Sequence, residues 1–243
     1  MVSQETLLCQ SMKTVLITGI NKGLGKALFE HFTDQGYHVI GLLRNEEAAK
    51  KLAQNLPDNA ELIQADLSSD EAIESIQSVV QNRPIDLLIN NAGITGASFR
   101  LEEVESAEVM ALLNVHCLGV FRATKAVRQN LLQAENPTVI NLNSRFGSIT
   151  RQHNGTYGHL EVSYAYRIAK AAQNMLTACL KAEYGSQIKF ISLHPGKIKT
   201  GLAQSDANAE PTTVAEKIFE TFEANRFTQE NGIVEIGHEP MEW

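Results

Sequence analysis

Hydrophobic positions fall into two rhythms along this chain. Short, nearly unbroken apolar runs such as Val15-Leu16-Ile17 and Leu87-Leu88-Ile89 alternate with longer stretches in which apolar residues return every third or fourth position. Runs of the first kind suit strands covered on both faces, and stretches of the second suit helices with one apolar side. The pattern predicts strands at 14–18, 38–43, 61–64, 86–90, 138–143, 189–193 and 233–236. It predicts helices at 24–35, 46–55, 70–81, 102–133, about 161–184 and 213–224. Strict alternation of the two predicts βαβ units with right-handed crossovers. The expected fold class is therefore α/β, a single-domain doubly wound parallel sheet of about seven strands with helices on both faces.

Composition narrows this picture. A length of 243 residues suits one such domain, with residues 1–12 as a flexible lead. The net charge of −7 argues against a nucleic acid or an anionic membrane surface as partner. Cys9, Cys117 and Cys179 are widely spaced and contain no C-x-x-C pair, so neither a disulfide framework nor a zinc site is expected. The patch Leu7-Leu8-Cys9 is too short for a signal segment, and no apolar run approaches the ~20 residues of a membrane span. A cytoplasmic location follows as the expectation. Two polar stretches, 148–160 and 197–212, follow predicted strand ends, the edge at which open α/β sheets bind ligands.

Two groups of residues carry the chemistry. Thr18-Gly19-Ile20-Asn21-Lys22-Gly23-Leu24-Gly25 lies between the first strand and the first helix. There Gly19 makes the tight turn, and Gly23 and Gly25 let backbone approach a pyrophosphate held at the helix N-terminus. Far downstream, Tyr166 and Lys170 stand four residues apart, on one face of the predicted helix. A phenol is a poor base at neutral pH, and an adjacent cation that favours phenolate makes it usable. Tyr164 has Ile168 at the corresponding spacing and lacks that partner.

The ordered set of motifs extends further. Asn90-Asn91-Ala92-Gly93 follows the fourth strand, Asn114 lies in the long helix, Ser144 follows the fifth strand, and His194-Pro195-Gly196 follows the sixth, with Thr200 nearby. Together with the glycine turn and Tyr166-x-x-x-Lys170, this series resembles the short-chain dehydrogenase/reductase family over nearly the whole chain. The text around Ser144 and Tyr166 is most similar to the C-factor and sniffer-type carbonyl reductase subgroup. The resemblance implies a Rossmann fold and a catalytic set of Asn114, Ser144, Tyr166 and Lys170. In that set Tyr166 is the acid/base, Lys170 also binds the nicotinamide ribose, Ser144 steadies the substrate oxygen, and the Asn114 backbone holds a relay water.

The implied cofactor contacts are Gly19, Asn21, Lys22, Gly23, Leu24, Gly25, Arg44, Asp66, Leu67, Asn91, Ala92, Gly93, Tyr166, Lys170, Pro195, Gly196, Ile198 and Thr200. Asp66 matches the residue that holds the adenine amino group. Lys22 and Arg44 stand where a 2′-phosphate would be read, and Leu42-Leu43 end the second strand where an NAD enzyme presents an acid. NADP(H) is thus the expected cofactor. The expected reaction interconverts a small-molecule carbonyl (aldehyde, ketone or quinone) and an alcohol, with reduction as the direction if NADPH is used. A nucleotide-binding regulatory or signalling protein of the same fold is the alternative. A homodimer or homotetramer through the helices at 102–133 and 161–184 is also implied. The interval of 22 residues from Ser144 to Tyr166 is wider than usual, placing 148–163 over the substrate mouth. His153 and His159 there are read as exposed loop residues, and no metal is expected.

Overall fold

The computed structural model describes residues 12–199, 208–227 and 232–243. Thr200 and residues 1–11 of the expected lead lie outside the described residues, so their predicted roles have no structural counterpart here. The strands are β1 (Thr14–Thr18), β2 (His38–Leu43), β3 (Ala60–Gln64), β4 (Leu87–Asn90), β5 (Thr138–Leu142), β6 (Lys189–His194) and β7 (Val234–Glu235). They form a seven-stranded parallel sheet in the order β3-β2-β1-β4-β5-β6-β7. Val15 lies beside Val39 on one flank and Leu87 on the other, so β1 is central and all five of its residues are buried.

Alternation along each strand divides the core between the two faces. Val15, Ile17, Leu87 and Ile89 point into one apolar cluster, shared with α1 (Gly23–Asp34) and α8 (Pro211–Glu223). Leu16 and Leu88 point into the other, packed by α3 (Glu71–Val80) and α5 (Gly119–Leu131). Burial on both faces is why these strands read as continuous apolar runs. The remaining helices are α2 (Glu46–Ala53), α4 (Ser106–Leu113), α6 (Ile149–His153) and α7 (Tyr164–Tyr184). The strand order reverses at β1 and β4, and the crevice beyond their C-terminal ends is the usual ligand position in such sheets.

Three features depart from the sequence expectation. The helix expected over 102–133 begins at Ser106 and is interrupted by a π turn, Asn114–Leu118. A π turn inserts one residue and shifts the apolar phase by a single position, a small offset inside a long periodic stretch that reads as one helix. Within the expected loop at 148–160, Ser148 Oγ accepts the Arg151 N–H at 3.2 Å and caps α6. None of the α6 residues is buried, so no apolar period marks it. Finally, β7 is shorter than 233–236, because Ile233 exchanges both backbone hydrogen bonds with Met241 at 2.7 and 2.8 Å.

Candidate active site

A cleft of about 1000 Å³ opens at the C-terminal edge of β1, β4, β5 and β6. At its nucleotide end the turn after β1 is held by two side chains. Thr18 Oγ1 accepts the backbone N–H groups of Asn91 and Ala92, both at 3.0 Å. Asn91 Nδ2 in turn donates to the carbonyls of Thr18 and Gly19 at 2.9 and 3.0 Å. The β1 and β4 turns are thereby fastened together. Gly19 has φ of 75°, and an added Cβ would lie 2.8 Å from Ala92 Cα. At Gly25 a Cβ would come within 2.2 Å of the Gly19 carbonyl oxygen. The glycines therefore let two backbone segments touch, and the first turn of α1 has no side-chain cap on its N–H groups. Free N–H groups at a helix N-terminus, beside backbone that close, fit a pyrophosphate.

Lys22 and Arg44 are exposed at this end of the cleft. Arg44 reaches toward Asp66 at 3.9 Å, too far for a hydrogen bond, so its fork is not consumed by that pair. Asp66 Oδ1 accepts the backbone N–H and the hydroxyl of Ser68 at 2.9 and 2.8 Å. Burial pushes the Asp66 carboxyl up, but those two donors and Arg44 outweigh it and hold the group below its ordinary range. Every described cofactor residue expected from sequence lines the cleft except Gly25, which packs beneath the turn.

The chemical end is built on β5 and α7. Ser163 caps α7, its hydroxyl accepting the Tyr166 N–H at 3.3 Å. Glu108 from α4 receives that same hydroxyl at 3.3 Å and the backbone N–H groups of Ala97 and Ser98 at 2.7 and 3.2 Å. One carboxylate thus joins the start of α7 to the loop after β4. Ser144 follows β5 and hydrogen-bonds the Tyr166 phenol. Lys170 is buried and donates to the Leu142 carbonyl at 2.7 Å and to Gln173 Oε1 at 2.8 Å. Its Nζ lies 5.8 Å from the Tyr166 ring centroid. Ser144, Tyr166 and Lys170 therefore converge as the sequence spacing implies.

Their electrostatics differ from the expectation that Lys170 lowers the phenol. Burial raises the Tyr166 phenol above its ordinary value, and the Ser144 hydroxyl only partly opposes this. Burial also pushes the Lys170 ammonium down to about 7, while its two oxygen acceptors favour the charged form. Desolvation is the dominant cause for both groups. Tyr166 is accordingly protonated at neutral pH.

Asn114 does not line the cleft. Its amide donates to the Ser68 carbonyl at 2.8 Å, its Oδ1 accepts from Arg122 at 2.8 Å, and its carbonyl accepts the Gly119 N–H and Arg122. The residues that this segment does bring to the cleft are Val115 and His116, and the histidine was not singled out from the sequence. Its ring packs edge-on against Tyr166 with centroids 5.4 Å apart. It lies within the π turn, which the sequence expectation of one continuous helix did not include. His153 and His159 are exposed, and no group of three or more His, Cys, Asp or Glu that could hold a metal occurs among the described residues. Within the 148–163 segment, Tyr157 is buried, its ring 5.0 Å from that of Phe146.

This fold and cleft define a class. The short chain dehydrogenase family model matches residues 13–211, and the chain belongs to that family. Carbonyl reductase Sniffer of D. melanogaster superposes with a TM-score of 0.81 and 29% identity, covering 96% of this chain and all of its own. The NADPH-dependent pterin aldehyde reductase of Arabidopsis thaliana is 26% identical over 79% of this chain and 78% of its own length. C-signal of Myxococcus xanthus is 33% identical over 125 residues, 51% of this chain and 72% of its own. No helix among the described residues is long and apolar enough to cross a membrane.

Proposed function

We propose that the protein is an NADP(H)-dependent oxidoreductase that interconverts a carbonyl and an alcohol, with Tyr166 as acid/base. The observation that carries this reading is one continuous cleft with the glycine turn, Lys22 and Arg44 at one end and Ser144, Tyr166 and Lys170 at the other. When bound, the nicotinamide supplies or accepts the hydride. The chain's own residues handle the oxygen and its proton. Ser144 hydrogen-bonds the substrate oxygen beside the phenol, and Tyr166 gives its proton to that oxygen as charge develops on it. Lys170, one helical turn on, supplies the cation that stabilises the resulting phenolate. Asn114 acts from outside the cleft by tying the π turn to Ser68 and Arg122.

Lys22 and Arg44 favour a 2′-phosphate, since a cation attracts it and β2 itself ends in Leu42-Leu43 rather than in an acid that would repel it. The NADPH-dependent relative agrees with this. Oxidation of NADPH and NADH against aldehydes, ketones and quinones tests the reading. Turnover favouring NADPH supports it, and equal use of NADH would remove the phosphate-reading role. The similarity to C-signal favours a second reading, a nucleotide-binding signalling protein. Under it, biological output survives Tyr166→Phe. Met110, Phe121, Ile168 and Met175 are exposed on α4, α5 and α7, which supports a homodimer through these helices. A monomer in sedimentation at micromolar concentration would exclude that assembly.

A further inference from the structure

The cleft wall holds a buried titratable side chain that the acid–base scheme does not use. His116 is 1% exposed and lies within the π turn, between the half-buried Val115 and Cys117. Its Nε2 is 2.9 Å from the Ile94 carbonyl oxygen, and the Ile94 N–H also points at this nitrogen, at 3.3 Å. The Nε2–H tautomer, donating to that carbonyl, is assigned from the shorter contact. Nδ1 is then an unprotonated acceptor, and it is buried with no partner. The ring is also confined: a Cβ at Gly93 would sit 2.7 Å from its Cε1, and its plane meets that of Tyr166 at 89°.

We propose that His116 is a positioning residue for proton transfer at Tyr166, its Nε2–H pinning the Ile94 carbonyl in the cleft wall while its ring edge fixes the attitude of the phenol. The proposal rests on the oxidoreductase reading above. Burying an imidazole with one bare nitrogen costs stability, and an apolar ring of similar size would fill the space without that cost. The nitrogen that is used holds the substrate-side wall, and the ring that carries it holds the acid. Both contacts therefore act at one point of the cleft. The titratable groups facing the ring are Lys170 and Tyr166, both from α7. Burial and then the Lys170 charge hold the imidazole down to about 3, so it stays neutral beside a working lysine.

The test compares His116→Phe, His116→Asn and Tyr166→Phe, using NADPH and the best-reduced member of the carbonyl panel. The phenylalanine keeps the ring edge and loses the donor, so kcat falls by about ten- to a hundredfold. The KM for NADPH changes far less than kcat, because among the named cofactor contacts the ring lies close to Gly93 and reaches none of the glycine turn, Lys22 or Arg44. The asparagine amide, which can again donate to Ile94, restores part of kcat. Unchanged kcat in His116→Phe overturns the proposal. Nitrogen-15 NMR of histidine-labelled wild-type protein gives an independent answer should the variants not fold. A neutral Nε2–H tautomer from about pH 5 to 8 supports the proposal, and an Nδ1–H tautomer or a titration near the ordinary histidine value overturns it. If Tyr166→Phe keeps turnover, the oxidoreductase reading itself fails. If only His116→Phe is silent, the positioning role alone falls.

Discussion

Thr18→Val removes a single oxygen from the joint between the nucleotide turn and β4 while keeping the side-chain volume. Thr18 is 1% exposed, and its hydroxyl accepts the backbone N–H groups of Asn91 and Ala92 at 3.0 Å each. Each donor left unpaired costs about 1–3 kcal/mol when buried, and these two are half-buried at the cleft, which brings the pair to about 2–4 kcal/mol. In a domain of this size 1 kcal/mol moves the melting temperature by about 2–4 °C, which gives a fall of about 4–16 °C. Differential scanning fluorimetry measures it, with circular dichroism confirming the fold. Thr18→Ser, which retains the oxygen, should recover most of the loss. NADPH affinity should weaken with the valine as well, since the joint sets the distance between Gly19 and Ala92. A valine variant that melts with the wild type, or a serine variant as unstable as the valine, would refute the reasoning.

Three other outcomes follow from the site. Lys22→Ala with Arg44→Ala should raise the KM for NADPH by about ten- to a hundredfold and leave that for NADH nearly unchanged, as steady-state kinetics will show. Lys170 is held down to about 7 when folded and returns to about 10.4 when unfolded. Between those values the unfolded chain binds more protons, so stability rises with pH, by at most about 1.4 kcal/mol per unit. Urea unfolding at about pH 7 and 9 should show that rise in the wild type and a flatter profile in Lys170→Met, which also loses turnover. Gly25→Ala should abolish cofactor binding in a titration, because the methyl group would lie 2.2 Å from the Gly19 carbonyl oxygen.

How much of this was legible in the sequence depends on the range of the forces involved. Val15, Leu16 and Ile17 announce a strand buried on both faces, and the sheet places them so. Tyr166 and Lys170 are fixed by helical spacing, and Ser144 by the end of β5, so their convergence follows from local pattern plus topology. His116 was not legible, because a lone histidine in a long periodic stretch carries no motif, and the π turn in which it lies was not expected. The pairing of Ile233 with Met241 depends on a backbone return that carries no sequence signal. The upward shift of Tyr166 was also hidden. Its spacing from Lys170 shows that a cation is near, whereas the desolvation that dominates arises from the packed cleft as a whole.

The central claim is that Tyr166 carries the proton in a hydride-transfer site, and Tyr166→Phe tests it most directly. The variant removes the phenolic oxygen, preserves the ring that packs on His116, and leaves the glycine turn untouched. Single-turnover oxidation of NADPH with the best carbonyl substrate, beside a fluorescence titration of NADPH binding, reads chemistry and binding separately. The account predicts a fall of about a hundredfold to ten-thousandfold in the chemical step with binding retained. Turnover close to wild type in the folded variant would contradict it.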